Sequence, residues 1–187
     1  MAESSTASMH HHGAPEGTKR DFIKLIAGAG AAIGAGAIAW PIIDSMNPSK
    51  DVLALASIEV DLAPVVAGQG ITVMWRGKPV FVRHRTPEEI KEAQAVPLSQ
   101  LPDPQADSAR VKPGQAQWLV LIGICPHLGC IPGGNKPTEA RGEYGGWFCA
   151  CHGSQYDTSG RIRKGPSPAN LAVAPFEFLN PTKIKIG

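Results

Sequence analysis

The distribution of apolar residues divides the chain into one long uncharged segment near its beginning and short runs thereafter. No charged residue occurs at 25–43, and a helix of that length measures roughly 28 Å, close to the thickness of a bilayer core, about 30 Å. The segment therefore predicts one N-terminal transmembrane helix. Lys19, Arg20 and Lys24 precede it, so the positive-inside rule puts the N-terminus in the cytoplasm and the residues after Asp44 on the other side.

Beyond residue 56 the apolar residues follow the two-residue period of β-strands. Ile58, Val60 and Leu62 alternate with polar residues, which is typical of a half-buried strand. Similar signals predict strands or hairpin arms at 71–75, 79–83, 155–157, 161–163, 171–178 and 183–186, and the apolar run 118–124 predicts a buried strand. Thr86 and Pro87 are start signals for one short helix to about residue 94. The pattern predicts an all-β domain over residues 57–187, built from antiparallel sheets.

Three short segments precede this domain. Residues 1–17 are polar and predict a disordered tail, and we assign no function to its three histidines at 10–12. Residues 18–43 join a basic start to an apolar Ala/Gly-rich stretch, which resembles a twin-arginine export signal with Lys19 in place of the first arginine. Residues 44–56 begin polar, contain an Asn-Pro turn signal and predict a flexible hinge.

The apolar segment is either an anchor or a cleaved signal. Residues 37–39 have the small-x-small form of a signal-peptidase site, and cleavage there would release a soluble domain. Trp40 follows at once and suits the membrane interface, so we expect the anchor to be retained. The sequence thus predicts a single-pass protein of the bacterial cytoplasmic membrane with its domain on the periplasmic side.

Composition narrows the choice of function. The chain has 18 basic and 16 acidic residues, a formal net charge of +2, which argues against a nucleic-acid partner. Its 21 glycines and 17 prolines agree with a turn-rich β domain. The charged triplet Arg83, His84 and Arg85 ends a predicted strand, and we expect it on a solvated face. All four cysteines lie between positions 125 and 151, which indicates one site and not a disulfide framework spread over the fold.

Two short motifs carry the candidate chemistry. The first is Cys-Pro-His-Leu-Gly-Cys at 125–130, and the second is Cys-Ala-Cys-His-Gly-Ser-Gln-Tyr-Asp at 149–157. Each offers one Cys and one His within a few residues, followed by a glycine that lets the backbone approach an inorganic cluster. Two such loops facing each other make a four-ligand site. The candidate ligands are Cys125, His127, Cys130, Cys149, Cys151 and His152.

A zinc site and a catalytic Cys/His pair are the alternative interpretations of these residues. Zinc ribbons use C-x2-C knuckles, to which the C-x-H and C-x-C-H spacings are poor matches. A catalytic pair leaves the second Cys/His motif unexplained. Both alternatives therefore fit the pattern less well than a cluster held by two loops.

The motifs C-x-H-x-G-C and C-x-C-H-x-G-S-x-Y-D resemble those of the Rieske iron-sulfur proteins, in which two histidines replace two cysteines on one iron. The resemblance implies a Rieske-type domain with a small cluster-binding subdomain at about 119–170. It implies one Rieske-type 2Fe-2S cluster as the cofactor, with Cys125 and Cys149 on one iron and His127 and His152 on the other.

The same resemblance assigns roles to residues around these ligands. It implies a disulfide between Cys130 and Cys151, which suits an extracytoplasmic domain. It also places the Ser154 hydroxyl on a bridging sulfide and the Tyr156 hydroxyl on the Cys125 sulfur, as hydrogen-bond donors that raise the reduction potential. The residues implied to pack beside or cover the cluster are Leu128, Gly165, Pro166, Ser167 and Pro168.

From position 20 to the C-terminus the chain resembles the Rieske subunit family of bacterial ubiquinol-cytochrome c reductase, the cytochrome bc complex. The resemblance implies a redox subunit of this proton-translocating enzyme that takes one electron from ubiquinol and passes it to a c-type cytochrome. By the same carry-over His152 meets the quinol and takes up its electron and proton, with His127 close by. The implied partners are a cytochrome b subunit, a c-type cytochrome subunit, ubiquinol and the membrane, in a dimeric complex.

Two other functions share the motifs. The Rieske small subunit of an arsenite-oxidase-type enzyme also combines an export signal with such a domain. A soluble Rieske electron carrier would lack quinol chemistry. A ring-hydroxylating oxygenase needs a mononuclear iron site for which this chain has no histidines left.

Overall fold

The computed structural model describes residues 18–50 and 56–187 of the chain. The predicted disordered tail at 1–17, with its three histidines, lies outside the described residues, as do residues 51–55 of the predicted hinge. The chain divides into two compact units, Met1–Ser49 and Lys50–Gly187.

The first unit contains the helix α1, Lys19–Asp44. It begins before the apolar segment because Thr18 and Asp21 form a capping box, in which each side chain accepts a hydrogen bond from the other residue's backbone N–H. The helix continues through Pro41, and none of its residues is buried. The predicted helix over 25–43 is therefore confirmed, and α1 is long and apolar enough to cross a membrane.

The second unit is built mainly of antiparallel strands. In chain order its elements are β1 (Ile58–Asp61), β2 (Gly70–Trp75), β3 (Lys78–His84), α2 (Pro87–Ala95), β4 (Trp118–Ile122), β5 (Gly145–Cys149), β6 (Ser154–Asp157), β7 (Ile162–Lys164), β8 (Phe176–Asn180) and β9 (Lys183–Ile186). The strands form three sheets, with the orders β1-β9-β8, β2-β3-β4 and β5-β6-β7. The predicted all-β domain of antiparallel sheets is confirmed.

Strands β3 and β4 contribute to two hydrophobic cores. Val82 and Val120 are cross-strand partners and belong to the core that the two sheets β1-β9-β8 and β2-β3-β4 share. Phe81 and Leu121 are also partners, and they belong to a second core with residues of the β5-β6-β7 sheet, among them Trp147. Because β4 is buried on both faces, its sequence is a continuous apolar run without alternation.

The two arginines of the triplet at the end of β3 are buried and His84 is half-buried, so the expectation of a solvated face is wrong. Arg83 and Arg85 are each only 1% exposed. Arg83 is paired with Glu89, and Arg85 donates two hydrogen bonds to Asp107 (2.6 and 3.2 Å). These acids belong to the 85–117 connection between β3 and β4, which folds back over the sheet and supplies the counter-charges that burial requires.

Two strand predictions need correction, and one strand was not predicted. The run at 118–124 ends as a strand at Ile122, and residues 171–175 do not belong to β8. Residues 171–175 form backbone hydrogen bonds with the turn before β7 and with β4. The Leu171 N–H donates to Gly160 O (2.9 Å), and the Ala174 N–H donates to Val120 O (3.1 Å). The sequence also missed β5, because its two leading glycines hide the strand pattern. Position 146 requires glycine, because a Cβ there would lie 2.0 Å from the Asp157 carbonyl oxygen.

Candidate metal centre

Two loops of similar design lie next to each other at one end of the second core. The first follows β4 and contains residues 125–130, and the second joins β5 to β6. In the first, the Gly129 N–H donates to Cys125 O (2.9 Å), and in the second the Gly153 N–H donates to Cys149 O (2.9 Å). Both glycines have φ near +80°, where a side chain would be strained, so each loop needs glycine to close its turn.

The two loops bring the four predicted ligands together as two pairs. Cys125 and Cys149 are free cysteines, 1% and 2% exposed, and both belong to the second core. The rings of His127 and His152 lie nearly perpendicular, with centroids 4.7 Å apart. Two buried thiols and two adjacent imidazoles are the donor set of a Rieske-type 2Fe-2S cluster, so these residues fit that group.

The remaining two cysteines form a disulfide between the loops. Cys130 and Cys151 are joined with an S–S distance of 2.22 Å, the pairing that the family resemblance implies. The sulfur atoms of Cys130, Cys149 and Cys151 all lie within 4.8 Å of one another. They are not a thiolate metal site, because disulfide sulfurs are not thiolates, and only Cys149 of the three keeps a free thiol.

Tyr156 makes the main polar contact with the ligand sulfurs. Its hydroxyl lies 3.1 Å from the Cys125 sulfur, and its side chain is fully buried. Burial raises the pKa of the Cys125 thiol, but hydrogen bonds with Tyr156 and the backbone N–H of His127 outweigh it and leave this pKa below its ordinary value. Burial and the neighbouring Cys125 raise the pKa of the Cys149 thiol. Burial also raises the pKa of Tyr156, which therefore stays a proton donor.

The loop 165–168 lies against the start of β6. The backbone N–H of Ser167 donates to the Ser154 hydroxyl oxygen (3.1 Å), and both residues are buried. Gly165 has φ +104°, and a Cβ there would lie 2.6 Å from Ser154 Cα, so only glycine allows this approach. Ser154 thus accepts one hydrogen bond, which leaves its hydroxyl hydrogen for another acceptor.

The outer surface of the site combines imidazole with apolar side chains. His152 is exposed and His127 is half-buried, whereas Leu128 of the first loop is 69% exposed. Pro166 and Pro168 are also exposed. The contact of the Ser167 N–H with Ser154 was not predicted, because no sequence motif reports a backbone donor that acts on a side chain 13 residues earlier.

Two family models match the chain. Residues 9–49 match the model of the ubiquinol-cytochrome c reductase Fe-S subunit TAT signal, and residues 81–176 match the Rieske [2Fe-2S] domain. The ubiquinol-cytochrome c reductase iron-sulfur subunit of Rickettsia conorii is 60% identical over 170 residues, covering 91% of this chain and 93% of that protein. The subunit of the same name from Blastochloris viridis is 53% identical over 188 residues, covering 100% of this chain and 98% of its own.

A solved structure described as a hyperthermophilic respiratory Complex III contains a similar chain. It covers 87% of this chain and 98% of its own length, with a TM-score of 0.54 and 24% identity. At this level of identity the likeness concerns the fold alone. The sheet-rich fold described above is therefore a Rieske fold, as the sequence predicts.

Proposed function

Because this chain belongs to the family of Rieske iron-sulfur subunits of ubiquinol-cytochrome c reductase, we propose that it transfers single electrons from ubiquinol to a c-type cytochrome. The observation that carries the proposal is the pairing of two buried free thiols with two adjacent imidazoles on disulfide-linked loops. Ligand residues of this kind, with one face open, suit a one-electron carrier that meets its partners at the surface.

Four residues would hold the cofactor. Cys125 and Cys149 would bind one iron, and His127 and His152 would bind the other. With two neutral imidazoles in place of two thiolates, the bound 2Fe-2S cluster would accept one electron at a raised potential. The Tyr156 hydroxyl, 3.1 Å from the Cys125 sulfur, would stabilise negative charge on that sulfur.

The open face would serve the quinol. The exposed imidazole of His152 would bind the quinol hydroxyl and take up its proton, with the imidazole of His127 beside it. Leu128 gives the same face an exposed apolar side chain that fits a cytochrome b surface. The loop of Gly165, Pro166, Ser167 and Pro168 would cover the other side of the cofactor and exclude water.

The proposal extends to the position of the subunit in the cell. α1 would anchor it in the bacterial cytoplasmic membrane, with the N-terminus cytoplasmic and the Rieske domain periplasmic, which suits the disulfide. The cytochrome b and c-type cytochrome subunits of a dimeric complex would be its partners. The segment 44–56 would act as the hinge, and residues at about 119–170 as the cluster-binding subdomain.

Electron paramagnetic resonance of membranes that contain the full chain tests the cofactor. After mild reduction we expect the spectrum of a 2Fe-2S cluster with histidine ligands. A spectrum of an all-cysteine cluster, or bound zinc without iron, would contradict the proposed ligand set.

Turnover separates the proposed function from the other Rieske functions. We expect ubiquinol-dependent reduction of cytochrome c to appear when the chain is restored to membranes that lack it, and no arsenite-dependent reduction. Recovery of the domain in the periplasmic extract, with no quinol-dependent activity in the membranes, would indicate a soluble carrier.

A further inference from the structure

We propose that Asp103 is a positioning residue for the cluster site, which acts through Asn170 and Ser167 on the hydroxyl of Ser154. The proposal rests on the proposed function, because it concerns the reduction potential of the bound cluster. Asp103 belongs to the 85–117 connection. Its hydrogen bonds are made with Asn170 and not with any of the four ligand residues.

Asp103 and Asn170 form a clasp with two hydrogen bonds. The backbone N–H of Asn170 donates to the Asp103 carboxylate (2.9 Å), and the Asn170 side-chain amide donates to the Asp103 backbone carbonyl (3.0 Å). The side-chain oxygen of Asn170 accepts a third bond from the Ile162 N–H (2.8 Å). Asn170 is buried, and it ties the connection to β7 and to the end of the 165–168 loop.

Ser167 passes this restraint to the Ser154 hydroxyl. Its N–H donates to the Ser154 oxygen (3.1 Å), and both residues are buried. Its own hydroxyl also donates to the carbonyl oxygen of Ala169 (3.0 Å), the residue before Asn170. Ser167 is buried although its neighbours Pro166 and Pro168 are exposed, so it is the anchoring point of the loop.

The hydrogen bond from Ser167 controls the direction in which the Ser154 hydroxyl donates its hydrogen. A serine hydroxyl has one hydrogen, and the bond that it accepts from Ser167 restricts where that hydrogen can point. A donor that stays aimed at a cluster sulfur stabilises the reduced state, whereas a loosened donor is averaged over several directions. The clasp therefore keeps the reduction potential high by holding the loop that orients the Ser154 donor.

The test compares three variants of the full chain in membranes. Asp103→Ala removes the carboxylate acceptor. Asp103→Asn removes the same charge but keeps an oxygen that can accept the Asn170 N–H, so it separates the hydrogen bond from the electrostatic effect of the charge. Asp61→Ala is the matched control, because the Asp61 carboxylate also accepts a backbone N–H, that of Ala63 (3.0 Å), at the end of β1.

The readout is the midpoint potential from a redox titration followed by electron paramagnetic resonance. We expect the equilibrium for reduction to be about threefold to tenfold less favourable in Asp103→Ala than in Asp103→Asn, where tenfold is about 59 mV for one electron. Asp61→Ala should keep the potential of the unmodified protein. If Asp103→Ala assembles no cluster, Asn170→Ser opens the same clasp from its other end without adding charge, and should lower the potential likewise.

Equal potentials in Asp103→Ala and Asp103→Asn would overturn the proposal, and so would an equal shift in Asp61→Ala. An unchanged potential in Asn170→Ser, where that variant is needed, would overturn it too. These results differ from failure of the proposed function, in which the unmodified protein itself would lack the spectrum of a histidine-ligated cluster.

Discussion

At the scale of single residues, the site depends on side chains that contact a sulfur or hold a loop. Tyr156 is fully buried, and its hydroxyl reaches the Cys125 sulfur at 3.1 Å. Burial raises the pKa of this hydroxyl and keeps it protonated, so it acts on the sulfur as a neutral hydrogen-bond donor. Its aromatic ring also belongs to the second core, which fixes the direction of the hydroxyl.

Replacement of Tyr156 by Phe should lower the midpoint potential of the cluster by tens of millivolts, where about 59 mV is a tenfold change in the equilibrium. The ring still fills its place in the core, and only the hydrogen bond that favours the reduced cluster is lost. A redox titration measures the change. Ser154→Ala should act in the same direction, and unchanged potentials in both variants would show that the two hydroxyls have only structural roles.

Replacement of Cys130 or Cys151 by Ser should leave a cluster that assembles but is lost readily. The disulfide links the two ligand loops without occupying either predicted ligand pair. By contrast, alanine at Cys125, His127, Cys149 or His152 should abolish the cluster. The rate at which visible absorbance decays in purified membranes measures the difference, and complete loss in all six variants would contradict the assignment of ligands.

The candidate site residues can be proposed from the sequence, whereas the residues that support them cannot. The Cys, His, Ser and Tyr positions lie in two short motifs whose spacing is constrained by a metal centre, so they can be read locally. The burial of Arg83 and Arg85 could not be read in this way. Their partners Glu89 and Asp107 lie 6 and 22 residues away, and their pairing depends on how the connection folds back.

At the scale of elements, the 85–117 connection supports the β6–β7 hairpin by side-chain contacts. The Ser159 hydroxyl donates to Asp107 (2.6 Å), and the Thr158 hydroxyl donates to the carbonyl oxygen of Glu89 (2.9 Å). Arg161 donates to the carbonyl oxygen of Ala93 (2.6 Å). The turn 157–161 is therefore enclosed by the connection, one residue beyond Tyr156.

Burial lowers the pKa of Arg110 to about 10, yet it remains a cation at neutral pH. Its guanidinium donates to the carbonyl oxygens of Ser159 (2.7 Å) and Leu171. By donating to these backbone carbonyl oxygens, the buried Arg110 cation holds the 157–161 turn and the 171–174 segment together. Strand prediction failed for 171–175 for this reason, because the partners of that segment are a turn and β4 rather than β9.

Asp107 should make the stability of the domain sensitive to acid. Burial alone would raise its pKa, but hydrogen bonds from Arg85 and Ser159 outweigh burial and leave the pKa below the ordinary value of 3.8. The folded state therefore binds fewer protons than the unfolded state, and this stabilisation is present above pH 3.8 and lost as the pH falls through the lower folded-state pKa.

Asp107→Ala should cost about 3–5 kcal/mol in the free energy of unfolding at pH 7, because it leaves the buried Arg85 without its counter-charge. Urea unfolding followed by circular dichroism measures this. In the same assay between pH 5 and pH 2, Asp107→Asn should show a weaker dependence on pH than the unmodified protein. Identical dependence in both would mean that Asp107 contributes nothing to acid sensitivity.

At the scale of the whole molecule, the chain combines a helix suited to a membrane with a domain that must serve two redox partners. The segment 44–56 between them is the predicted hinge, of which residues 51–55 lie outside the described part of the chain. An anchored domain in one fixed pose would have to place its ligand loops near both donor and acceptor. A segment that absorbs changes in backbone dihedrals removes this requirement.

Proline at both Ser49 and Lys50 should slow electron transfer from quinol to cytochrome by an order of magnitude or more, because proline fixes φ and stiffens the segment. The paramagnetic spectrum and the amount of assembled complex should remain normal, which separates lost movement from lost cofactor. Turnover in membranes is the measurement, and proline at Ala67, in a turn of the domain itself, is a control for general damage. Full turnover in the double variant would rule out a need for movement.

Strands β3 and β4 contribute side chains to both hydrophobic cores, so we expect the domain to unfold as one cooperative unit. Since alternate side chains of β3 and β4 complete both cores, we expect that the β5-β6-β7 sheet and the β1-β9-β8 sheet cannot open as separate units. Backbone amides of Phe81, Val82, Val120 and Leu121 should exchange with deuterium only through global unfolding, at the slowest rates in the protein. Mass spectrometry of exchanged peptides would show this, and faster exchange of Phe81 and Leu121 than of strands β8 and β9 would reveal two independent folding units.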